Sequence, residues 1–228
     1  MKIILASGSP RRRELLKMAG YSFEVIPANV DETADPSLSP EQLVTTLSEK
    51  KAYHILNSLE HIDPIKFKSE AIIIGADTTV AIDGMILGKP DNKDHAFDML
   101  MHLQGRPHMV HTGITVLHFK PNLSESSVSE SFVSESSALI SYPNKKNAFK
   151  QKTFVESTKV FMRSLSEKEI NDYIATEEPF DKAGAYGIQE KGALLIERVE
   201  GDYFTVTGLP LCRLNKVLKQ FIGEFKGL

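Results

Sequence analysis

The sequence predicts an α/β protein built on a mixed β-sheet with helices packed against it. Three observations predict this class. Ile3-Ile4-Leu5 and Ile72-Ile73-Ile74 are short continuous apolar runs of the kind that form strands covered on both faces. Helical segments with recognisable start signals alternate with such runs. Asp83-Gly84 and Gly201-Asp202 are turn dipeptides, so antiparallel hairpins join what would otherwise be parallel alternation. The chain has 228 residues, 41% of them hydrophobic, which suffices for one large domain with a substantial core.

Taken in order, residues 2–6 form a strand and residues 10–20 a helix, with Ser9 as N-cap and Pro10 at the first helical position. Tyr21 to Ile26 alternates and predicts a second strand. Residues 27–38 are a polar loop containing Asp31-Glu32. Ser39-Pro40-Glu41-Gln42 is a capping box that opens a helix to about Leu59, and residues 60–69 connect it onward. Ala71 to Ile74 is a buried strand, with Gly75-Ala76-Asp77-Thr78-Thr79 following at its end. Residues 80–82 and 85–87 pair across Asp83-Gly84. Residues 93–103 are helical, and Val110–Phe119 and Thr153–Met162 are strands. Residues 121–149 between them are a Ser/Glu-rich insertion, with Ser-Glu-Ser recurring. They offer too little apolar surface to offset the entropy of ordering, so a hairpin insertion mobile at its tip is expected. Ser166-Glu167-Lys168-Glu169 is a second capping box, for a helix to about Thr176. Ala193–Val199 is expected to be a strand, with Tyr203–Val206 pairing back onto it. Pro210 starts a C-terminal helix.

Composition removes several function classes. Net charge is −3, so nothing suggests wrapping of a nucleic-acid polymer. Cys212 is the sole cysteine, which rules out an intrachain disulfide and fits a reducing compartment. No apolar run approaches the roughly 18 residues of a membrane span, and none resembles a signal core. A cytoplasmic protein is expected. The seven histidines lack partners at ligand spacing, and no Walker, dinucleotide-binding or nucleophile-elbow motif occurs.

The polar constellations point to an anion. Ser7-Gly8-Ser9-Pro10 joins a strand to a helix N-terminus, where unpaired N–H groups favour negative charge. Arg11, Arg12 and Arg13 then fall where the helix dipole disfavours cations, which makes sense if a polyphosphate sits among them. A capped helix with surface arginines is the plain alternative. Asp77, beyond a buried strand, suits a proton acceptor or a metal ligand, though a turn aspartate fits as well. Glu32 could share a Mg²⁺ with Asp77, the remaining ligands being water and phosphate. Lys51 lies beside the apolar stripe of its helix and could snorkel or bind phosphate; Lys89, in Gly-Lys-Pro, is better placed. Lys182 is flanked by small residues that leave a thin backbone open to a ligand. Gln189 offers a donor and an acceptor that match uracil or thymine, and adenine in another register.

These residues together resemble a known family. Ser7-Gly8-Ser9-Pro10-Arg11-Arg12, Asp31-Glu32, Lys51-Ala52, Gly75-Ala76-Asp77-Thr78, Gly88-Lys89-Pro90, His111-Thr112-Gly113, Asp181-Lys182-Ala183-Gly184-Ala185-Tyr186-Gly187-Ile188-Gln189 and Gly208-Leu209-Pro210 follow the order found in the Maf family of nucleoside triphosphate pyrophosphatases, also called septum formation inhibitors. The resemblance implies an inosine-triphosphate-pyrophosphatase-like fold, an elongated mixed sheet flanked by helices with two lobes around a cleft, as a single domain over 1–228. It implies hydrolysis of a nucleoside triphosphate to monophosphate and pyrophosphate with Mg²⁺ or Mn²⁺. Lys182 and Gln189 resemble the dTTP/UTP subgroup; the 7-methyl-GTP subgroup carries Glu at the position of Gln189. By the same resemblance Asp77 is the proton acceptor and Glu32 lines the site. Arg11 or Arg12, Thr78 and Gln189 are specificity positions, and Ser7, Ser9, Lys51, Lys89 and Lys182 line the site. A non-catalytic nucleotide-sensing regulator of cell division, a pyrophosphatase for modified pyrimidine nucleotides and a 7-methyl-GTP pyrophosphatase are the competing readings. A homodimer is left open.

Overall fold

Seven strands form one sheet among the described residues, in the order β2-β1-β3-β5-β6-β7, with β4 joined to the far half of β3. The computed structural model describes residues 1–33, 35, 37–62, 70–120 and 148–222. The strands are β1 (Lys2–Leu5), β2 (Glu24–Val25), β3 (Ala71–Ile82), β4 (Met85–Leu87), β5 (Pro107–Lys120), β6 (Ala148–Met162) and β7 (Ile196–Glu200). The helices are α1 (Pro10–Met18), α2 (Pro40–Ile62), α3 (Lys93–Leu103), α4 (Glu167–Ile174), α5 (Tyr203–Thr207) and α6 (Leu211–Ile222). β1 runs parallel to β2 and β3, and every other pairing is antiparallel. Apart from 148 and 149, the Ser/Glu insertion lies outside the described residues. No helix among the described residues is long and apolar enough to cross a membrane.

The alternation of β3 divides its apolar side chains between two layers, because successive residues face opposite sides. Ile72 and Ile74 pack with Ile3, Leu5 and Leu16 beneath α1 and α6. Ile73 packs with Ile4, Ala52 and Ile55 beneath α2. The far ends of β3, β5 and β6 carry a separate cluster, with Val80, Ile82, Val110 and Val160 meeting Leu100 of α3 and Ile170 of α4. The two lobes are therefore the two ends of a shared sheet. α2 presses directly on the sheet between them. A Cβ on Gly75 would sit 2.2 Å from the Ser48 carbonyl oxygen, and one on Gly113 would sit 2.3 Å from that of Val44. Glycine is the only residue that allows this approach.

Several boundaries differ from the sequence expectation. Asp77 does not follow a strand; β3 continues through it to Ile82. The neighbour ends instead. β1 pairs with residues 71–74 of β3, and β4 pairs with 80–82, so the edge of β3 from 75 to 79 is left open on that side. Residues 203–206 form helix α5 rather than a strand. Asp202 accepts the Phe204 N–H, and Gly208 closes the turn at φ 102°. β7 begins at Ile196, since residues 190–195 wind as a 3₁₀ turn. β2 is only two residues long, Glu24 and Val25, which pair with Ile4 and Leu5 of β1.

Candidate active site

The open edge of β3 is where the polar residues gather. The turn after β1 enters it: the buried Ser7 hydroxyl accepts the Ser9 N–H at 3.3 Å, and Ser9 caps α1. Arg12 then spans the gap that no strand fills. Its Nη1 donates to Ser7 Oγ at 3.1 Å and to the Ala76 carbonyl at 3.0 Å. Its Nη2 donates to Thr78 Oγ1 at 3.0 Å, and its Nε to the Gly208 carbonyl at 2.9 Å. A guanidinium presents five donors in a fixed fork, and here four contacts tie together the β1 turn, β3 and the α5–α6 junction. Thr78 Oγ1 also meets Thr112 Oγ1 at 2.9 Å, and Thr112 donates to the Thr205 carbonyl.

On the opposite face of β3, Asp77 points at α2. It is 8% exposed. Lys51, 6% exposed, reaches it from α2 with Nζ 2.7 Å from Asp77 Oδ1 and 2.6 Å from Glu32 Oε1. Lys51 therefore does not snorkel. It bridges two carboxylates that are distant in sequence. Burial pushes the Asp77 carboxyl above its ordinary range, against the opposing pull of Lys51 and Arg12. Glu32 is also partly desolvated, but the hydrogen bond and charge of Lys51, with Lys89 and Arg12 behind it, hold its carboxyl below the usual range. Lys89 is exposed, and its charge acts on Glu32, which places it at the rim of the same cluster.

A second set of residues lies on the other side of the first turn of α1. Arg11 turns away from Arg12, donating from Nη1 to Asp181 Oδ2 at 2.9 Å. Lys182 Nζ grips the other oxygen of Asp181 at 2.7 Å and the Glu178 carbonyl at 2.6 Å. Burial alone would raise Asp181, yet Lys182 and Arg11 hold it low. These residues border an open cavity of about 570 Å³ that Gln189 also lines, together with Glu14, Thr176 and Glu190. The Gln189 amide takes no hydrogen bond from any described residue. The backbone here is strained, with Glu177, Ala185 and Glu190 all at φ between 56° and 64°. Such non-glycine conformations cost of order 1 kcal/mol or more each and collect where function over-determines the backbone.

Two sequence readings gain detail from the structure. The small residues around Lys182 are used in packing within the chain. Gly187 is filled by the Lys182 stem, whose Cε would be 2.8 Å from an added Cβ, and Gly184 lies against Val80 of β3. Those glycines dock the loop onto the sheet, and the Gly184 N–H to Gly88 carbonyl bond at 2.9 Å fastens it to the Lys89 turn. The arginines, moreover, already hold protein acceptors: Asp181 for Arg11, carbonyls and hydroxyls for Arg12. Reading the sequence missed Asp181 and Thr112. Both stand inside quoted motifs, but only their contacts distinguish them from neighbours.

The structure thus joins Ser7, Arg12, Glu32, Lys51, Asp77, Thr78 and Lys89 around one break in the sheet, and Arg11, Lys182 and Gln189 around an adjoining cavity. No group of three or more His, Cys, Asp or Glu side chains suited to a metal occurs among the described residues. The donor set still fits a hard divalent cation. Asp77 and Glu32 already converge on one cation, the Lys51 ammonium, and oxygen donors supplemented by phosphate and water are what Mg²⁺ takes.

Fold and site together define an α/β protein whose acid–lysine–acid cluster sits beside an arginine-braced turn in an interrupted sheet. The model of the Maf-like protein family matches residues 2–221, and the chain belongs to that family. It is 44% identical over 220 residues to a dTTP/UTP pyrophosphatase of Thermoanaerobacter sp. (strain X514), covering 96% of both chains. It is 43% identical over 221 residues to the dTTP/UTP pyrophosphatase of Acetivibrio thermocellus, covering 97% of this chain and 96% of the relative. It is 40% identical over 220 residues to that of Bacillus cereus, covering 96% and 95%.

Proposed function

We propose that this protein hydrolyses dTTP and UTP to the monophosphate and pyrophosphate. The observation that carries the reading is the convergence of Asp77, Lys51 and Glu32 beside the Ser7–Arg12 turn, in a chain similar over its length to dTTP/UTP pyrophosphatases. Asp77 and Glu32 are the residues that would hold a divalent cation, Mg²⁺ or Mn²⁺. When bound, such a cation neutralises phosphate charge and makes the phosphorus more electrophilic.

The chain's own groups do the rest. Asp77 accepts a proton from water as the water oxygen bonds to the α-phosphorus. The bond from that phosphorus to the α–β bridging oxygen breaks, and pyrophosphate leaves. A carboxylate made more basic by burial is a better proton acceptor than an exposed one. Lys51 and Lys89 offer ammonium charge to the phosphates, Lys182 lines the adjoining cavity, and Arg12 keeps the β3 edge and the Ser7 turn in register. Arg12 and Thr78 form the wall of the site, and Gln189, at the adjoining cavity and with no hydrogen bond from a described residue, reads the pyrimidine edge. Composition with a single cysteine supports a cytoplasmic setting.

The test is product analysis on dTTP, UTP, CTP, GTP and 7-methyl-GTP with Mg²⁺ or Mn²⁺. Pyrophosphate with dTMP or UMP, at higher kcat/KM than for the purines, is expected. Orthophosphate as product, preference for 7-methyl-GTP, or nucleotide binding without turnover would each overturn the proposal.

A further inference from the structure

Lys51 is the residue that touches both carboxylates, and its position raises a question of space. Its ammonium is 2.6 Å from Glu32 Oε1 and 2.7 Å from Asp77 Oδ1. A divalent cation held by the same pair would need that volume, and two cations cannot share it without strong repulsion. The helix that carries Lys51 is seated hard against the sheet. The α2 backbone at Ser48 and Ala52 is already against Gly75 of β3, with no space for one carbon atom between them. For the cation to enter, the Lys51 side chain must leave the space between the carboxylates, and a buried ammonium leaves only if another anion receives it.

We propose that Lys51 is a built-in counterion. Its ammonium occupies the space between Asp77 and Glu32 until a triphosphate draws it away, so that nucleotide and divalent cation bind with positive coupling. The inference deepens the pyrophosphatase reading and rests on it for the nucleotide alone; the competition between ammonium and metal follows from the cluster itself. Three consequences follow. The nucleotide-free protein binds a divalent cation weakly. A bound triphosphate raises cation affinity, and by linkage the cation raises nucleotide affinity by the same factor. Removing the ammonium opens the pair to the cation without any nucleotide.

The experiment titrates Mn²⁺ against the wild type and Lys51→Met, reading free Mn²⁺ by electron paramagnetic resonance, with and without UTP carrying a non-hydrolysable α,β-imido link. Lys51→Met alone should bind Mn²⁺ about tenfold or more tightly than the wild type alone. The analogue should raise Mn²⁺ affinity about tenfold or more in the wild type and by a smaller factor in the variant. Equal Mn²⁺ affinity of the two nucleotide-free proteins would overturn the inference, and so would an unchanged coupling factor in the variant. Removing one partner of a buried pair also weakens the fold. For that case Mn²⁺ without nucleotide should raise the Tm of Lys51→Met more than that of the wild type, because a ligand stabilises the state that binds it. A smaller or equal rise would also overturn the inference. If the analogue binds neither protein while Mn²⁺ favours the variant, the nucleotide reading fails and the counterion role stands.

Discussion

The two halves of the site are built from different materials. Asp77, Lys51, Thr78 and Arg12 stand on a twelve-residue strand, a long helix and a capped helix start. Arg11 shares that helix start, but its partner Asp181 ends one 3₁₀ turn, Lys182 links that turn to the next, and Gln189 leads into a third, a segment with three left-handed non-glycine residues. In the first half Asp77 and Lys51 are buried, Arg12 and Thr78 are half-buried, and each is paired with a polar or charged partner. In the second, Asp181 is exposed and Gln189 takes no hydrogen bond from a described residue. The contrast suits a division of labour. Positions where protons and phosphates move need fixed geometry, while a base-reading surface can sit on a loop held by a few anchors.

The largest test of that division is Asp77→Asn. On the proposed mechanism it removes the proton acceptor, and pyrophosphate release should fall by about 10³-fold, within the range of general-base losses. Stability should fall, because the variant leaves the buried Lys51 ammonium with Glu32 as its remaining charged partner. A fully active variant would end the assignment. Next comes Gly75→Ala, which forces a methyl group to 2.2 Å from the Ser48 carbonyl. Overpacking of backbone against backbone should cost about 3 kcal/mol or more in denaturant unfolding. A cost under about 1 kcal/mol would show that α2 is not pinned to the sheet.

Gln189→Glu probes the loop half. It should lower kcat/KM for UTP about tenfold while leaving the melting temperature unchanged, because it replaces a neutral hydrogen-bonding edge by a charge without touching the core. An unaltered ratio of UTP to GTP turnover would count against base reading by this residue. The last test concerns the anchor of the same loop. His108 of β5 bonds to Tyr186, and burial pushes its imidazole down to about 4. The unfolded chain takes up a proton at about 6.5 that the folded chain refuses, so stability should fall as pH drops from about 6.5 to about 4. The slope contributed is at most about 1.4 kcal/mol per pH unit, and His108→Asn should flatten the profile in that window. An identical profile for the variant would remove His108 from the account.

Much of the fold was legible because helix caps and strand alternation depend on chain neighbours. Ser9, Asn92 and Ser166 each cap a helix, Asn92 being a cap the sequence reading passed over. The error at 203–206 came from reading the Gly201-Asp202 turn as a hairpin; Asp202 five residues before Thr207 and six before Gly208 is equally a helix start and stop, and packing against Thr112 and Thr158 favoured the helix. The open edge of β3 was not legible, because it depends on where β1 stops and β4 begins beside it.

By itself the sequence determined the sheet-and-helix class, most element positions and which carboxylates and cations the site could draw upon. Those follow from local hydrogen bonding and periodicity, which act over a few residues. Only the tertiary structure decided what each charge faces. Lys51 meets Asp77 across 26 positions and Arg11 meets Asp181 across 170. Pairings at that separation are set by how α2 and the 3₁₀ turns dock on the sheet, since a buried charge must find a partner wherever packing brings one within reach.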